Sequence, residues 1–338
     1  EFDPDSRERV LMSNKIPEAA ILPQKPAPLK STTALLQTTG HKTAATSEFG
    51  ASFPVKVPTG FSDLIEYGDL LDPLLRQVLP SPEEDLIHPN FSTDPTDDLS
   101  QQPIPGLLHK YHGRALLITT GACAIHCRYC FRRHYPYQSK QIKPSHWQQI
   151  LQYLANDNSI HEIILSGGDP FTLSDTKLLP FLDDLEAIPH LQTIRFHTRL
   201  LSFTPERLTT AFTNWLKDTS TSVVIVYHIN HAQELSEPLH HTTKKLQQLS
   251  VTQLNQSVLL KGINDDADTL AQLNQQLFQY RILPYYLHQL DLVQGAAHFK
   301  VSDTEAKLIH HTLQQRLPGY LVPKLVYEAP HTGSKQWL

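Results

Sequence analysis

Beyond Arg114 the chain alternates short apolar runs with longer stretches whose apolar residues recur at helical spacing. The short runs predict strands over Ala115–Thr119, Glu162–Ser166, Thr193–Phe196, Ser222–Tyr227, Gln256–Leu260 and Leu283–Leu287. The longer stretches predict helices near 145–155, 174–187, 205–217, 234–249, 267–280 and 303–316. Such alternation implies βα units around a parallel sheet. Six units over residues 114–318 predict an α/β fold, a partial (β/α)6 barrel. The carboxyl ends of parallel barrel strands build the active site. Here they run into Thr120-Gly121, Gly167-Gly168-Asp169, His228, Lys261-Gly262 and His288, so the chemistry is expected along that rim.

Upstream the periodicity breaks up. Residues 51–113 carry short helical patterns interrupted by Pro73, Pro80, Pro82, Pro89 and Pro95, which predicts an irregular helical layer packed on the barrel as a clamp or an oligomer contact. Residues 1–50, rich in Pro, Ala, Thr and Lys, read as a mobile arm. Residues 1–11 precede the only methionine, Met12, and read as an artificial extension. Residues 319–338 are expected to form a last strand and a terminal loop.

Composition narrows the function classes. With 338 residues and 40% apolar content the chain can bury a large core. A formal charge of −5 offers no basic footprint for nucleic acid, and no run approaches the roughly 18 apolar residues of a membrane helix. The expectation is a cytoplasmic protein that binds neither nucleic acid nor membrane.

All three cysteines, Cys123, Cys127 and Cys130, lie on the loop after the first barrel strand, so a disulfide framework is implausible. The spacing C-x3-C-x2-C lets three thiolates converge on one metal centre. A closed zinc site needs a fourth ligand, for which His126 and His134 are the local candidates; an iron–sulfur cluster needs none. A zinc site or three free thiols remain as alternatives. One unit later, Ser166-Gly167-Gly168-Asp169-Pro170 offers bare backbone that a ligand could approach, or a plain strand-to-helix turn.

The cysteine motif, with Tyr129 just before its last member, resembles that of the radical-SAM superfamily. The resemblance implies a radical-SAM barrel holding a [4Fe–4S] cluster, whose open iron takes the amino and carboxylate groups of S-adenosylmethionine. It assigns Gly167, Gly168 and Asp169 to the methionine-binding motif. From about Pro105 to Lys335 the chain further resembles the lysine 2,3-aminomutases. The segments that carry this include Pro105-Gly-Leu-Leu-His-Lys-Tyr-His, Cys127-Arg-Tyr-Cys-Phe-Arg-Arg-His, His228-Ile-Asn-His, Pro284-Tyr-Tyr-Leu-His and Gln294-Gly-Ala-Ala-His-Phe. The nearest branch is the bacterial one that makes β-lysine for modifying elongation factor P.

That resemblance implies an isomerase using pyridoxal 5′-phosphate on a lysine after the final strand, expected over Tyr320–Tyr327, which points to Lys335. Relatives of the free-lysine type carry a nearly all-glycine loop before this lysine, where the present chain has Glu328-Ala-Pro-His-Thr-Gly-Ser. Carried over residue by residue, Arg132 would bind the substrate carboxylate and Arg114 the cofactor phosphate. His228, Asn255 and Gln256 would be nucleoside or cofactor contacts or else packing residues, and Asp291 and Glu328 would hold the ε-ammonium of lysine. The implied reaction removes a hydrogen from the substrate β-carbon and moves the amine from α to β. Implied partners are lysine, a ligase acting on elongation factor P, an electron donor such as flavodoxin, and further copies of the chain. The alternatives are an aminomutase for another amino acid such as glutamate, or a non-catalytic iron–sulfur or zinc scaffold.

Overall fold

The structure is a computed structural model that describes residues 27–41, 52–329 and 332–338. Among the described residues nine strands form one sheet whose spatial order follows the chain, β1 to β9. The strands are β1 (Leu107–Tyr111), β2 (Arg114–Thr120), β3 (Glu162–Gly167), β4 (Thr193–Thr198), β5 (Ser222–Tyr227), β6 (Thr252–Val258), β7 (Leu283–His288), β8 (Lys324–Tyr327) and β9 (Gln336–Trp337). Every neighbouring pair from β2 to β8 is parallel; β1 and β9 are antiparallel edges. Six crossover helices join the parallel strands: α1 (Pro144–Asn156), α2 (Asp175–Glu186), α3 (Thr210–Asp218), α4 (Glu237–Gln248), α5 (Ala267–Gln279) and α6 (Asp303–Arg316). This is the partial barrel that the periodicity predicts.

The helices form where apolar stripe and cap agree. In α1, Trp147, Ile150 and Leu154 sit on one face and are buried, with Pro144 in the first turn, where its missing N–H costs nothing. The Asp266 carboxylate accepts from the Thr269 amide to start α5, and Ser302 with Glu305 forms a capping box on α6. Where the helices begin late, at α3 and α4, a 3-10 turn fills the gap, Pro205–Arg207 and Ala232–Glu234.

Four sequence expectations are corrected. β6 lies at Thr252–Val258 rather than Gln256–Leu260, because the positions it buries away from the cavity are the polar Gln253, Asn255 and Ser257, which hydropathy alone does not mark as core. β1 lies in the stretch expected to be helical; it is folded onto β2 by a tight turn with Gly113 at φ 80°. The final strand is confined to Lys324–Tyr327, since Gly319–Leu321 turns as a 3-10 helix ahead of Pro323. Within the stretch read as a mobile arm, Thr32–Thr38 is a helix, and Leu35 joins the main core. Residues 1–26, which include 1–11, and residues 42–50 of the arm lie outside the described residues.

The layer before the barrel is clamped into the same core. Val57, Phe61, Leu74, Leu75 and Val78 are buried with the barrel residues Leu117, Ile163 and Phe196 in one cluster. Leu29 and Val57 bridge each other in antiparallel fashion. No helix among the described residues is long and apolar enough to cross a membrane.

Candidate active site

The strand ends enclose a cavity of about 540 Å³. Of the residues assigned a site role by resemblance, Asn255 alone stays outside its wall. Its amide is occupied by backbone instead, accepting from Ile229 N at 3.0 Å and donating to Ile229 O at 3.0 Å. It brackets β6 to the segment after β5.

At one end of the cavity stand the cysteines. Burial, then the nearby Asp169, raises the Cys123 thiol far above its ordinary value; burial, then Cys127, pushes Cys130 up to about 11. Both therefore release protons when a metal centre binds. The two imidazoles that could complete a zinc site are engaged elsewhere: His126 Nδ1 lies 2.8 Å from Pro54 O and His134 Nε2 3.1 Å from Gln294 O. Among the described residues no three His, Cys, Asp or Glu side chains close on a single ion. Three thiols on one loop with no protein fourth ligand suit a cluster that keeps one iron open.

The glycine turn meets this loop at van der Waals limits. A Cβ on Gly168 would lie 2.0 Å from Ala122 O, and one on Gly167, at φ 120°, 2.5 Å from Thr120 O. Gly168 N and Asp169 N donate to Thr120 O and Ala122 O at 2.8 and 2.9 Å, stitching β3 to the cysteine loop. The Asp169 carboxylate accepts from the amides of Phe171, Arg199 and Leu200 and from the Thr198 hydroxyl. It acts as a splint between the ends of β3 and β4.

The other end is charged. Asp98 accepts from Arg132 Nε at 2.6 Å and pairs with Lys110 Nζ at 2.5 Å. Burial would raise its carboxyl, but Arg132 and Lys110 outweigh burial and hold it well below the usual range. Lys110 reaches on to Glu328 at 3.4 Å, and Glu328 binds Lys335 Nζ at 2.8 Å. Burial opposes the ionised form of Glu328 too, and the two lysines again prevail. Asp291 has no such partner to win the contest: burial, then Glu328, pushes it up to about 7. Lys335 is brought here by β9, whose Trp337 pairs with Val326 of β8, so the lysine faces the cavity despite its place near the carboxyl end of the chain.

Between the two ends the wall is aromatic and imidazole. His228 is neutral, lowered to about 3 by burial and then Arg199, with Nε2 2.9 Å from the Tyr129 hydroxyl. His197 and His288, which sequence reasoning did not single out as ligands, are likewise kept neutral by burial. Arg114, beside Tyr111, and Gln256 line the wall; Arg195, also missed, pairs with Glu162 at 2.8 Å. Among the described residues, His197 Nε2, Arg195 Nε and Arg199 Nε are buried without a protein partner. Such orphans in a cavity wall fit bound polar groups, as the implied cofactors require.

Comparison with known proteins follows the same lines. Residues 117–212 match the family model described as the Radical SAM superfamily. The chain is 49% identical over 283 residues to the L-lysine 2,3-aminomutase of Escherichia coli strain K12, spanning 84% of this chain and 82% of that protein. It is 49% identical over 276 residues to that of Haemophilus influenzae, 82% of each. A radical SAM methyltransferase from Sphaerobacter thermophilus superposes at TM-score 0.43, with 15% identity over 65% of this chain and 68% of its own.

Proposed function

Because the chain belongs to the lysine 2,3-aminomutase family of radical SAM isomerases, we propose that it converts L-α-lysine to β-lysine with pyridoxal 5′-phosphate as a further cofactor, its product serving a ligase that modifies elongation factor P. The observation that carries this reading is one cavity lined by the three thiols and also by Arg132, Asp291, Glu328 and Lys335. When bound, the cluster and S-adenosylmethionine supply hydrogen-atom abstraction, and pyridoxal phosphate supplies a π-system for the migrating nitrogen.

The residues divide the remaining work. Cys123, Cys127 and Cys130 hold the cluster, and Gly167 and Gly168 let the turn close against the cysteine loop at the cavity wall where S-adenosylmethionine would lie. Arg132, kept in place by Asp98, offers a planar fork to the substrate carboxylate. Asp291 and Glu328 take the ε-ammonium; Asp291 must give up its proton to do so, which its value near 7 permits at neutral pH. An ω-carboxylate such as that of glutamate would face these two acids, which argues for lysine. Lys335 carries pyridoxal phosphate, and Arg114 serves its phosphate. The barrel wall fixes the β-carbon against the reacting centre and excludes water.

The test is anaerobic protein reconstituted with iron, sulfide and pyridoxal phosphate, reduced by dithionite or by a flavodoxin-type donor. It should turn over L-lysine to β-lysine and leave norleucine and L-glutamate unchanged. Equal turnover of norleucine would mean that the ammonium seat is not real.

A further inference from the structure

Outside the cavity, behind the cysteine loop, lies a buried ionic cluster that the reaction does not use. Glu84, on the 3-10 turn Pro82–Asp85 of the preceding layer, accepts from Arg128 Nε at 2.7 Å and Nη2 at 2.5 Å, and from Arg133 Nη2 at 2.7 Å. The side chains of Glu84 and Arg133 are 1% exposed, and that of Arg128 is fully buried. Arg128 stands between Cys127 and Cys130, and Arg133 just beyond them. Arg128 also donates to Phe53 O at 2.7 Å, and Arg133 Nη1 donates to Arg128 O and Gly295 O, both at 3.0 Å. One carboxylate thus ties the cysteine loop to the layer and to the turn after β7. A buried bidentate pair has geometric specificity that a surface pair lacks.

We propose that Glu84 is a positioning residue for the cluster: through Arg128 and Arg133 it fixes the shape of the Cys123–Cys130 loop and sets the electrostatic field at its sulfurs. Groups behind metal ligands orient them and tune redox potential. The signs follow from charge alone. Deleting a negative charge near the cluster eases its one-electron reduction, and deleting a positive charge hinders it.

The experiment rests on the radical SAM reading and needs no turnover. Full-length protein is reconstituted anaerobically with iron and sulfide, and the cluster is titrated with dithionite and followed by EPR in the absence of S-adenosylmethionine. Glu84→Gln is expected to retain less iron and to titrate at a more positive midpoint than the wild type. Arg133→Gln is expected to shift the midpoint the other way. A merely structural contact would loosen iron without splitting the two midpoints in opposite directions. Folded variants with the wild-type midpoint, or two shifts of the same sign, overturn the proposal. If Glu84→Gln does not fold, the sign for Arg133→Gln decides: a negative shift supports the proposal, and no shift or a positive one ends it. Wild-type protein that assembles no four-iron cluster would instead overturn the reading beneath the proposal, and the proposal with it.

Discussion

The two ends of the cavity are built in opposite ways. The cysteine end comes from two contiguous segments, Cys123–Cys130 and Gly167–Asp169, stitched together by hydrogen bonds to Thr120 O and Ala122 O. The charged end is gathered from Asp98, Lys110, Arg132, Asp291, Glu328 and Lys335, which come from five separate stretches of chain and meet only when the sheet is complete. A local motif takes its shape mostly from its own segments, with Glu84 the distant residue proposed above to brace it. A dispersed network does not, so removing one member is expected to be felt across it.

The sharpest break in this comparison is at the cysteine end. Replacing any one of Cys123, Cys127 or Cys130 by Ala should abolish four-iron retention and S-adenosylmethionine cleavage while the fold persists, because the chain has no spare thiol. Iron analysis and 5′-deoxyadenosine assays check this, and a variant that keeps both would refute the assignment. At the opposite end, Lys335→Ala should lose all amine migration and all pyridoxyl labelling after borohydride reduction, with the cluster spectrum intact. Recovery of the label on Lys300 or Lys324 would move the attachment site.

Within the charged end the effects should be graded. Asp98→Asn leaves Arg132 and Lys110 buried without their shared counter-charge and should lower kcat/KM for lysine by about 100-fold, or about 2.7 kcal/mol. Asp291→Asn should cost roughly 10- to 100-fold, on the scale of about 1.5–3 kcal/mol for a charge-assisted hydrogen bond. If Asp98→Asn costs less than Asp291→Asn, the dispersed network is not coupled as described. Because Asp291 is raised to about 7, KM for lysine should rise as pH falls through neutrality, and Asp291→Asn should flatten that rise.

The smallest effect is on stability. A carboxyl raised on folding binds more protons in the native than in the unfolded chain, so its favourable contribution is complete at acid pH and is lost as pH climbs towards about 7. Asp291→Asn should therefore raise Tm slightly at pH 8 and leave it nearly unchanged near pH 4; an equal shift at both values would place the cause elsewhere.

The same contrast explains what could be read from sequence. The crossover helices and most strands announce themselves through periodicity, because burial on a barrel imposes it. β6 lies away from the apolar run because Gln253, Asn255 and Ser257 are buried on its face turned from the cavity, where they bond to side chains and backbone rather than presenting apolar surface. The cysteines declare themselves by spacing. Asp98 and Lys110 carry no such signal: one lies in a proline-interrupted loop and the other on an unrecognised edge strand, and their meaning arises only from their 2.5 Å contact. Asn255 was placed among the ligands by resemblance, whereas its amide serves the backbone of Ile229. Glu84, fully occupied with two arginines, was invisible for the same reason as Asp98.

The central claim is that one cavity brings the cluster chemistry to the β-carbon of an amino acid held at its far end. L-lysine deuterated at the β-carbon, incubated anaerobically with reduced, reconstituted protein, tests it most directly. The account predicts deuterium in 5′-deoxyadenosine together with β-lysine formation. Deuterium-free 5′-deoxyadenosine formed at the same rate with and without lysine would contradict it.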